Sequence, residues 1–407
     1  MKSRTVLSII VVALLLIVCV GLYFLFFGGK STTVTSGQNG QTGSLPNAGT
    51  QNNPATAASS TTSSSGLAKN FGIISNNPTL DYFIDPSNVV TAVEPDGEVI
   101  QVANGQVSSI SSLVMQNVLS ASFSADGEKI LISFGDPSNP QTSVFDVVKK
   151  IWTPLPAGLH SPVWSPVPSD YRVAYYTTPT QGVEAFATID ASKTNPTPVS
   201  LLTLHVQDTD IAWPAKNQVV LSPKPSAYVA SSAWSYNLTT GTLTPIAIET
   251  PGLAMMWGGG VSSTAPTGLV FSSGAYSLGG SLALANLSGS LIQQLKLVTL
   301  PSKCAFAAQT STVATASSTT ITTSTPYLFC GVPRDQDTLS TSHLPDDYNQ
   351  MVLFTSDDIY RINLQSGAID TVFNDETQNL DVSDVKFFNN TLLFVNRYDQ
   401  KLYGIQL

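Results

Sequence analysis

Hydrophobic residues follow two distinct patterns along this chain. Residues 6–27 form one uninterrupted apolar run without a charged side chain. From about residue 71 onward, short runs of β-branched and aromatic residues alternate with Gly, Pro, Asn and Asp, a pattern typical of short strands joined by turns. This second part shows no sustained helical periodicity. The sequence therefore predicts one N-terminal helix followed by an all-β domain.

The apolar run predicts a single membrane-spanning helix. At about 1.5 Å per residue it reaches roughly 33 Å, enough to cross the hydrocarbon core of a bilayer. Basic residues precede it, so the positive-inside rule places residues 1–5 in the cytoplasm and the rest of the chain outside. A cleaved secretory signal is the alternative, but its apolar core is shorter and ends in small residues. This run ends in aromatic residues 23–27, which favours an uncleaved anchor in the cytoplasmic membrane.

Residues 28–70 have the composition of a flexible linker. Between residues 31 and 66 they are almost exclusively Ser, Thr, Gly, Asn, Gln, Pro and Ala, with no charged residue. Such a segment buries too little apolar surface to offset the entropy of ordering it. We predict a disordered stalk that holds the folded domain away from the membrane, and its Ser/Thr content would permit O-glycosylation.

An aromatic residue recurs shortly before an apolar strand throughout the all-β domain. The series is Phe83, Phe123, Trp164, Trp213, Trp257, Phe306 and Phe387. Its steps are 40, 41, 49, 44, 49 and 81 residues, and the first five match the roughly 40–50 residues of a four-stranded propeller blade. The long last step contains a Ser/Thr-rich low-complexity insert, residues 309–326, and a polar loop, residues 333–350. The series therefore predicts a seven-bladed β-propeller over residues 71–407, with the aromatic residues packed between blades.

The last blade has only three strands of its own in the sequence, near residues 385–388, 392–396 and 402–407. The first apolar run of the domain, residues 71–75, is the candidate for its missing outer strand. Strands from both ends of the domain would then share one blade, which pairs edges that would otherwise be open to aggregation.

One turn carries a resemblance to a known family. Residues 122–131 (SFSADGEKIL) resemble the Ser-Pro-Asp-Gly turn of the WD40-like repeats in TolB-type propellers. Residues 344–350 (LPDDYNQ), 359–364 (IYRINL) and 394–403 (FVNRYDQKLY) resemble membrane-anchored WD40-like propeller proteins of candidate-phyla bacteria. The chain lacks the Gly-His and Trp-Asp signatures of true WD repeats. The resemblance implies the propeller fold and the anchor-and-stalk layout, and it implies no site residue.

The charge balance excludes one class of partner. The formal net charge is −9, and no cluster of Lys and Arg follows the N-terminus. Nucleic acids and anionic lipid surfaces bind through concentrated positive charge. We therefore expect no nucleic-acid partner, and membrane contact only through the N-terminal helix.

Catalytic and metal-binding motifs are absent from the sequence. His160, His205 and His343 have no second His or Cys at ligand spacing, so each is expected to be a loop or surface residue. No nucleophile elbow, phosphate loop or calcium loop occurs. Ser383 and Lys386 match the Ser-x-x-Lys pattern of acylating hydrolases, but the companion motifs are missing and the segment reads as a strand. The sequence predicts no catalytic residue, no metal site and no cofactor.

Acidic pairs in predicted loops leave one catalytic alternative open. They are Asp208 with Asp210, Asp346 with Asp347, and Asp357 with Asp358. Aspartates in turns usually bond their own backbone. Propeller glycosidases, however, use carboxylates from different blades that converge on the central channel, and sequence spacing does not reveal such convergence.

Cys304 and Cys330 are candidates for a disulfide. They fall on two neighbouring predicted strands of the sixth blade, in a domain expected outside the cytoplasm, where disulfides form. Adjacent strands lie close enough for a bridge when the register is right. Two buried free thiols are the alternative. Cys19 lies within the apolar run and is expected to pack against lipid.

These observations favour a membrane-anchored, extracytoplasmic propeller that binds a protein or glycan of the cell envelope without turning it over. The alternative is an exported hydrolase or lyase with carboxylates at the mouth of the propeller channel. The two hypotheses share a fold, and a fold does not determine function. The alternative requires at least two carboxylates, or a nucleophile and a base, to converge within hydrogen-bonding reach in one pocket.

Overall fold

Alternating apolar runs and turns produce an all-β structure, as the sequence predicts. The computed structural model describes residues 69–111, 113–258, 266–314 and 320–407. The predicted membrane helix, its cytoplasmic flank and all of the linker before residue 69 lie outside the described residues. Within the part of the chain that the structure describes, no helix is long and apolar enough to cross a membrane.

The described strands form seven four-stranded antiparallel sheets, the blades of a propeller. Blade 1 contains β2 (Asp81–Ile84), β3 (Val90–Val93), β4 (Val99–Ala103) and β5 (Gln106–Ser111). Blade 2 contains β6 (Val118–Phe123), β7 (Lys129–Phe134), β8 (Gln141–Asp146) and β9 (Ile151–Pro154). Blade 3 contains β10 (His160–Trp164), β11 (Arg172–Thr180), β12 (Val183–Asp190) and β13 (Val199–Leu204). Blade 4 contains β14 (Thr209–Ala215), β15 (Gln218–Pro223), β16 (Ala230–Asn237) and β17 (Leu243–Pro251).

The remaining blades include the sheet that closes the ring. Blade 5 contains β18 (Ala254–Gly258), β19 (Thr267–Ser273), β20 (Gly280–Asn286) and β21 (Leu291–Gln294). Blade 6 contains β22 (Cys304–Ala314), β23 (Thr320–Pro333), β24 (Asp357–Asn363) and β25 (Ile369–Phe373). Blade 7 contains β26 (Val382–Phe388), β27 (Thr391–Asn396), β28 (Lys401–Gln406) and, outermost, β1 (Asn70–Pro78). The outer strand of the last blade thus comes from the start of the domain, with Phe71 opposite Ile405, as predicted.

Hydrophobic cores lie between adjacent blades. Seven clusters of buried residues are present among the described residues, and each joins one blade to the next. Val93 of blade 1 and Ile130 of blade 2 belong to one cluster, and Leu393 of blade 7 and Tyr82 of blade 1 belong to another. The ring is therefore closed by apolar packing as well as by the β1–β28 pairing.

The predicted aromatic series identifies the first strand of every blade. All seven members lie in β2, β6, β10, β14, β18, β22 and β26, strands that contact their counterparts in neighbouring blades around the central axis. Phe83 stacks on Phe123 with ring centroids 5.9 Å apart, and Trp164 Nε1 donates to the Ser122 carbonyl at 3.0 Å. Packing between blades, which the sequence predicts for this series, is what the structure shows.

The Asp-Gly turn of the family resemblance connects two blades. Gly127 has φ +74° between β6 and β7, and a Cβ there would stand 2.3 Å from the Phe83 ring, so this position requires glycine. Asp126 accepts hydrogen bonds from the Ser124 hydroxyl at 2.7 Å and from the Ser169 amide of blade 3 at 2.8 Å. The turn fixes a local backbone conformation and ties blade 2 to blade 3.

Two segments of blade 6 differ from the sequence-based expectation. Most of the low-complexity insert, residues 309–326, extends β22 and β23, which pair without interruption from Cys304↔Cys330 to Ala314↔Thr320. Threonine and other β-branched residues favour strand backbone, so this insert lengthens a hairpin. The polar loop holds two short helices, α1 (Gln336–Thr341) and α2 (Asp346–Asn349). Strand β24 begins at Asp357, so the loop is longer than predicted and runs to residue 356.

Because successive strands of a blade run in opposite directions, the position of a loop in the strand order determines which of the two faces it lies on. The loops between the second and third strands of each blade, and the connections between blades, share one face, which we call the cap face. The turns between first and second strands lie on the opposite face. Blade 6 contributes residues 334–356 to the cap face as its second-to-third strand loop, and we call this segment the cap.

Candidate functional site

The cap reaches across the cap face to blade 4. Asp346, the first residue of α2, accepts a hydrogen bond from the Ser226 hydroxyl at 3.1 Å and another from the Ala227 amide. Both donors belong to the loop between β15 and β16, two blades away along the ring. The ring of His343 lies 5.0 Å from that of Tyr228 in the same loop. A carboxylate that bonds two donors of a distant blade fixes the position of the cap.

Hydrogen bonds also join the cap to blade 5. The Ser273 hydroxyl donates to the Leu344 carbonyl at 2.5 Å, and the Gly279 amide donates to the Ser342 carbonyl at 2.9 Å. His343 Nδ1 lies 3.0 Å from the Ser277 carbonyl. Leu344 and Tyr348 are buried in the core shared by blades 5 and 6. The cap is therefore a packed part of the domain.

Blade 7 anchors the C-terminal half of the cap through Arg397. Its guanidinium donates to the Tyr348 carbonyl at 2.7 Å and to the Asp381 carboxylate at 2.8 Å. The same guanidinium lies 3.6 Å from the centre of the Tyr348 ring, in the geometry of a cation–π contact. Together these contacts tie the cap to blades 4, 5 and 7.

A buried ionic network joins the base of the cap to blades 6 and 7. Lys303 is 1% exposed, and its Nζ donates to Asp357, Asp381 and Thr355 at 2.6, 2.6 and 2.7 Å. Burial opposes the charge of Lys303, but Asp357 and the groups around it raise the pKa of its ammonium. Burial raises the pKa of Asp357, and Lys303 opposes that shift. All three donor positions of the ammonium are used, so this network is structural.

A pocket of about 630 Å³ opens beside the cap. The first strands of blades 4 and 5 and the 3₁₀ turn Pro301–Lys303 form its walls, and α2 forms one side. Its apolar lining comes from residues including Ile211, Met255, Met256 and Trp257. The polar and charged residues of the lining are Asp210, Ser222, Lys224, Ser302, Asp346, Asn349 and Gln350. A concave, mostly apolar site with a few oriented polar groups is typical of ligand-binding pockets.

Carboxylates of blades 3 and 4 gather beside this pocket on the cap face. We call Glu184, Asp208 and Asp210 the acidic cluster. The charges of all three act on Tyr176, whose hydroxyl pKa is raised first by burial and then by these carboxylates. Burial also raises the pKa of Asp210, and Lys224 opposes that shift. The sequence treats Asp208 and Asp210 as a local turn pair, whereas the structure adds Glu184 from the neighbouring blade.

Glu184 is incompletely paired although its side chain is buried. The residue is 1% exposed, and its Oε1 accepts a hydrogen bond from the Thr209 amide at 3.3 Å. Its Oε2 has no hydrogen-bond partner within the described part of the chain. Burial of a carboxylate oxygen without a hydrogen-bond donor lowers the stability of the folded state. The negative charge of Glu184 is therefore only partly compensated by the groups around it.

His160 stands next to this cluster. Its ring stacks on that of Tyr176 with centroids 5.1 Å apart, and burial lowers the pKa of its imidazole, although Glu184 opposes the shift. His160 is the first residue of β10 and is partly buried, so the expectation of a loop or surface position is only partly met. Sequence spacing gives no indication of its contact with Tyr176.

Four exposed aromatic residues lie in loops of the cap face. Tyr228, Tyr276, Phe354 and Tyr398 come from the second-to-third strand loops of blades 4, 5, 6 and 7, and we call them the aromatic rim. Tyr276 is 93% exposed. Phe354 stacks on Tyr398 with centroids 5.5 Å apart. Tyr and other aromatic side chains are enriched at protein interfaces because they bury large area at low entropic cost.

The two residues of the Ser-x-x-Lys match form structural hydrogen bonds on strand β26. The Ser383 hydroxyl donates to the Val395 carbonyl at 3.0 Å, while Lys386 Nζ bonds Asp81 and the Tyr82 carbonyl. Asp384 lies 3.6 Å from the same ammonium, and burial raises its pKa to about 7. Ser383 and Lys386 are thus bonded to other groups, as expected for a chance match.

The other acidic residues singled out by sequence have local structural roles. Asp347 accepts a hydrogen bond from the His343 amide at 2.7 Å, which is the turn chemistry expected. Asp357 and Asp358 differ from that expectation because they open strand β24. Asp357 pairs with Lys303, and Asp358 pairs with Arg334 at 2.6 Å.

One further acidic group and one histidine stand apart from the pocket. Glu94, Asp96 and Glu98 bring one carboxylate oxygen each within 4.8 Å of one another around the turn between β3 and β4. They are at least partly exposed, and exposed acidic groups are common without a metal, so they do not identify a site. His205 lies in the connection after β13 and is exposed, as the sequence predicts.

Cys304 and Cys330 lie directly opposite each other on β22 and β23. Their Cα atoms are 4.1 Å apart and their sulfur atoms are at bonding distance, 2.11 Å. Both residues are buried in the core between blades 5 and 6. The register meets the condition that the sequence analysis sets for a bridge, and the oxidation state in the protein itself stays a prediction.

Comparisons with known proteins identify the fold. Oligogalacturonate lyase in complex with manganese matches with a TM-score of 0.53 and 12% identity, over 84% of this chain and 94% of that one. The β-propeller domain of the Trilobed protease from Pyrococcus furiosus gives 0.46 and 9%, over 83% and 94%. The tricorn protease gives 0.46 and 10%, over 82% of this chain, which spans only 34% of that protease. No family model and no curated protein matches the chain. At these identities the likeness shows the propeller fold alone.

Proposed function

We propose that this chain is a membrane-anchored, extracytoplasmic binding module that holds a protein or glycan ligand of the cell envelope on its cap face. The observation that carries the proposal is the pocket of about 630 Å³ beside the cap. The predicted anchor and stalk would present this face outside the cytoplasm without fixing its orientation.

The cap supports a binding role because it is held in place before any ligand arrives. Asp346, Ser273 and Arg397 tie it to blades 4, 5 and 7. A preformed site loses less conformational entropy on binding than one that must be ordered first. The aromatic rim adds exposed apolar contact area to the same face of the propeller, and aromatic residues are enriched where proteins bind one another.

A hydrolase or lyase is the second candidate function, and the acidic cluster favours it. Glu184, Asp208 and Asp210 come from two blades and act on the same tyrosine, and Asp210 also lines the pocket. His160, whose pKa is lowered by burial, would be neutral and able to accept a proton near neutral pH. Conversion of a bound ligand by the purified chain would establish this alternative.

A bulky substitution in the pocket lining tests whether ligands bind there. Ser302 is an exposed residue that lines the pocket, so Ser302→Trp places an indole there at little cost to folding. The full-length chain, purified in detergent, is screened against a peptide library and a glycan array. We expect the ligands found to bind Ser302→Trp at least about tenfold more weakly, a loss of about 1.4 kcal/mol.

Gln365→Trp is the matched control because Gln365 is exposed in the turn between β24 and β25, on the opposite face. This variant should bind like the unmodified chain. Equal binding by Ser302→Trp and the unmodified chain would contradict the assignment of the site. The assignment would also be contradicted if the unmodified chain bound nothing in either the peptide library or the glycan array.

A further inference from the structure

The carboxylates of the acidic cluster outnumber the cationic groups around them. Glu184, Asp208 and Asp210 face one lysine, Lys224, and a histidine whose pKa is lowered by burial. Lys224 forms no ion pair within 4.0 Å of any carboxylate in the described ranges. Asp208 and Asp210 are exposed, whereas Glu184 is buried. Carboxylates grouped beside a cleft produce a negative potential there, which raises the local concentration of cations.

Glu184 is an independent indication that a cation belongs here. Its Oε2 is buried and has no donor among the described residues, and its charge acts on the His160 and Tyr176 rings around the cluster. Two other carboxylate oxygens of the described chain, Asp375 Oδ2 and Asp384 Oδ2, also lack a hydrogen-bond partner. Asp384 lies 3.6 Å from the Lys386 ammonium, and Asp357 receives Lys303 and the Val382 amide at 2.6 and 2.8 Å. Glu184 forms no ion pair within 4.0 Å in the described ranges, so no cation of the described chain balances its charge at close range.

The adjoining pocket has the complementary chemistry for a long cationic side chain. Asp210 belongs to both the acidic cluster and the pocket lining, and Lys224 also lines the pocket, so a negative group borders its apolar surface. Met255, Met256 and Trp257 line that wall. The methylene stem of a lysine or arginine packs on apolar surface while its charged end reaches a polar group. An indole face also attracts cations.

We propose that the acidic cluster and the pocket beside it accept an arginine or lysine side chain from a peptide segment of a partner protein. This inference rests on the proposed function and names the ligand class of the same site. Asp210 lines the pocket and contacts the incoming cation. Asp208 and Glu184 add long-range attraction, and the aromatic rim packs against the residues that flank the basic one.

A peptide fits this site better than an amino sugar polymer. The wall formed by the two methionines and Trp257 offers few hydrogen-bond partners, so sugar hydroxyls placed there would lose water without replacement. Aliphatic and aromatic side chains next to a basic residue would gain from the same burial.

The test uses the full-length chain and a peptide library in which one position is varied among all residue types. We expect the selected peptides to carry Arg or Lys at that position. Asp210→Asn should weaken binding of the best peptide about tenfold, because it removes one direct charge contact with the basic side chain. Glu98→Gln removes one carboxylate from blade 1 and should change nothing. Replacing the peptide's arginine with citrulline, which has the same shape without the charge, should weaken binding to a similar degree.

The outcomes separate this inference from the proposed function. Selection of neutral or acidic peptides that Ser302→Trp no longer binds would overturn the cationic ligand and leave the binding site in place. Equal affinity for the arginine and citrulline peptides would do the same, and that readout does not depend on how any variant folds.

Tighter binding of a deacetylated chitooligosaccharide than of every peptide would overturn the peptide as the source of the cation. Peptide binding that Ser302→Trp leaves unchanged would contradict both proposals.

Discussion

Replacement of Lys303 by methionine is expected to lower the free energy of unfolding by about 3–5 kcal/mol, because it leaves buried carboxylates uncompensated. Asp357 and Asp381 are both 0% exposed, and each lies 2.6 Å from the ammonium. Arg397 would remain beside Asp381, but Asp357 would lose its only ion-pair partner among the described residues. Chemical denaturation of the full-length chain measures the loss.

The pH dependence of this variant identifies the cause. Burial raises the pKa of Asp357, and removal of Lys303 removes the influence that lowers it. A carboxylate whose pKa is raised in the folded state contributes stability that is lost as pH rises through the folded-state pKa. The destabilisation should therefore be smaller at pH 5 than at pH 8.

Two further variants complete this test. Lys296→Met changes an exposed lysine in the same connection, and its effect should stay within about 0.5 kcal/mol. Asp357→Asn should recover part of the loss in the Lys303→Met background, because the uncompensated charge is gone. A loss below about 1 kcal/mol for Lys303→Met, independent of pH, would contradict a structural role for the network.

Replacing Cys304 and Cys330 together by alanine is expected to cost about 3 kcal/mol of stability, since a disulfide restricts the unfolded chain and these residues are 26 positions apart. The loss should appear without reductant and shrink when the unmodified chain is also reduced. The measurement is denaturant unfolding of both proteins with and without reductant.

The oxidation state is settled by alkylation under denaturing conditions. The chain has three cysteines, so intact mass should show one adduct without reductant, on Cys19, and three with it. Cys19 serves as the internal control for complete labelling. Three adducts without reductant would show that Cys304 and Cys330 are free thiols and that the predicted bridge is absent.

Blade number and closure follow from the sequence because their signals are local and repeated. Each aromatic residue of the series lies in the first strand of its blade, so the spacing of the series follows the length of a blade. The incomplete last blade likewise requires a strand from elsewhere, and β1 is the first apolar run available. Both inferences depend on short-range pattern, which a single sequence carries well.

The site depends on contacts that cross blades, and the sequence does not encode these as a pattern. Glu184 and Asp210 belong to different blades, and nothing in their spacing indicates that they act on one tyrosine. Lys303 is an ordinary charged residue in the sequence, yet it meets Asp357 and Asp381 from two other segments. The polar loop could be recognised as an insertion, but its bonds to blades 4, 5 and 7 arise only when the ring closes.

Hydrogen exchange of the full-length chain, with and without the tightest peptide from the library, tests the central claim most directly. We expect slower exchange at residues 253–257 and at Asp346, Asn349 and Gln350, which line the pocket, and no change at the turn around Gln365 on the opposite face. The same peptide should give no protection in Ser302→Trp. Protection confined to the opposite face or to outer strands, with the pocket residues unchanged, would contradict the account and place the binding surface elsewhere on the propeller.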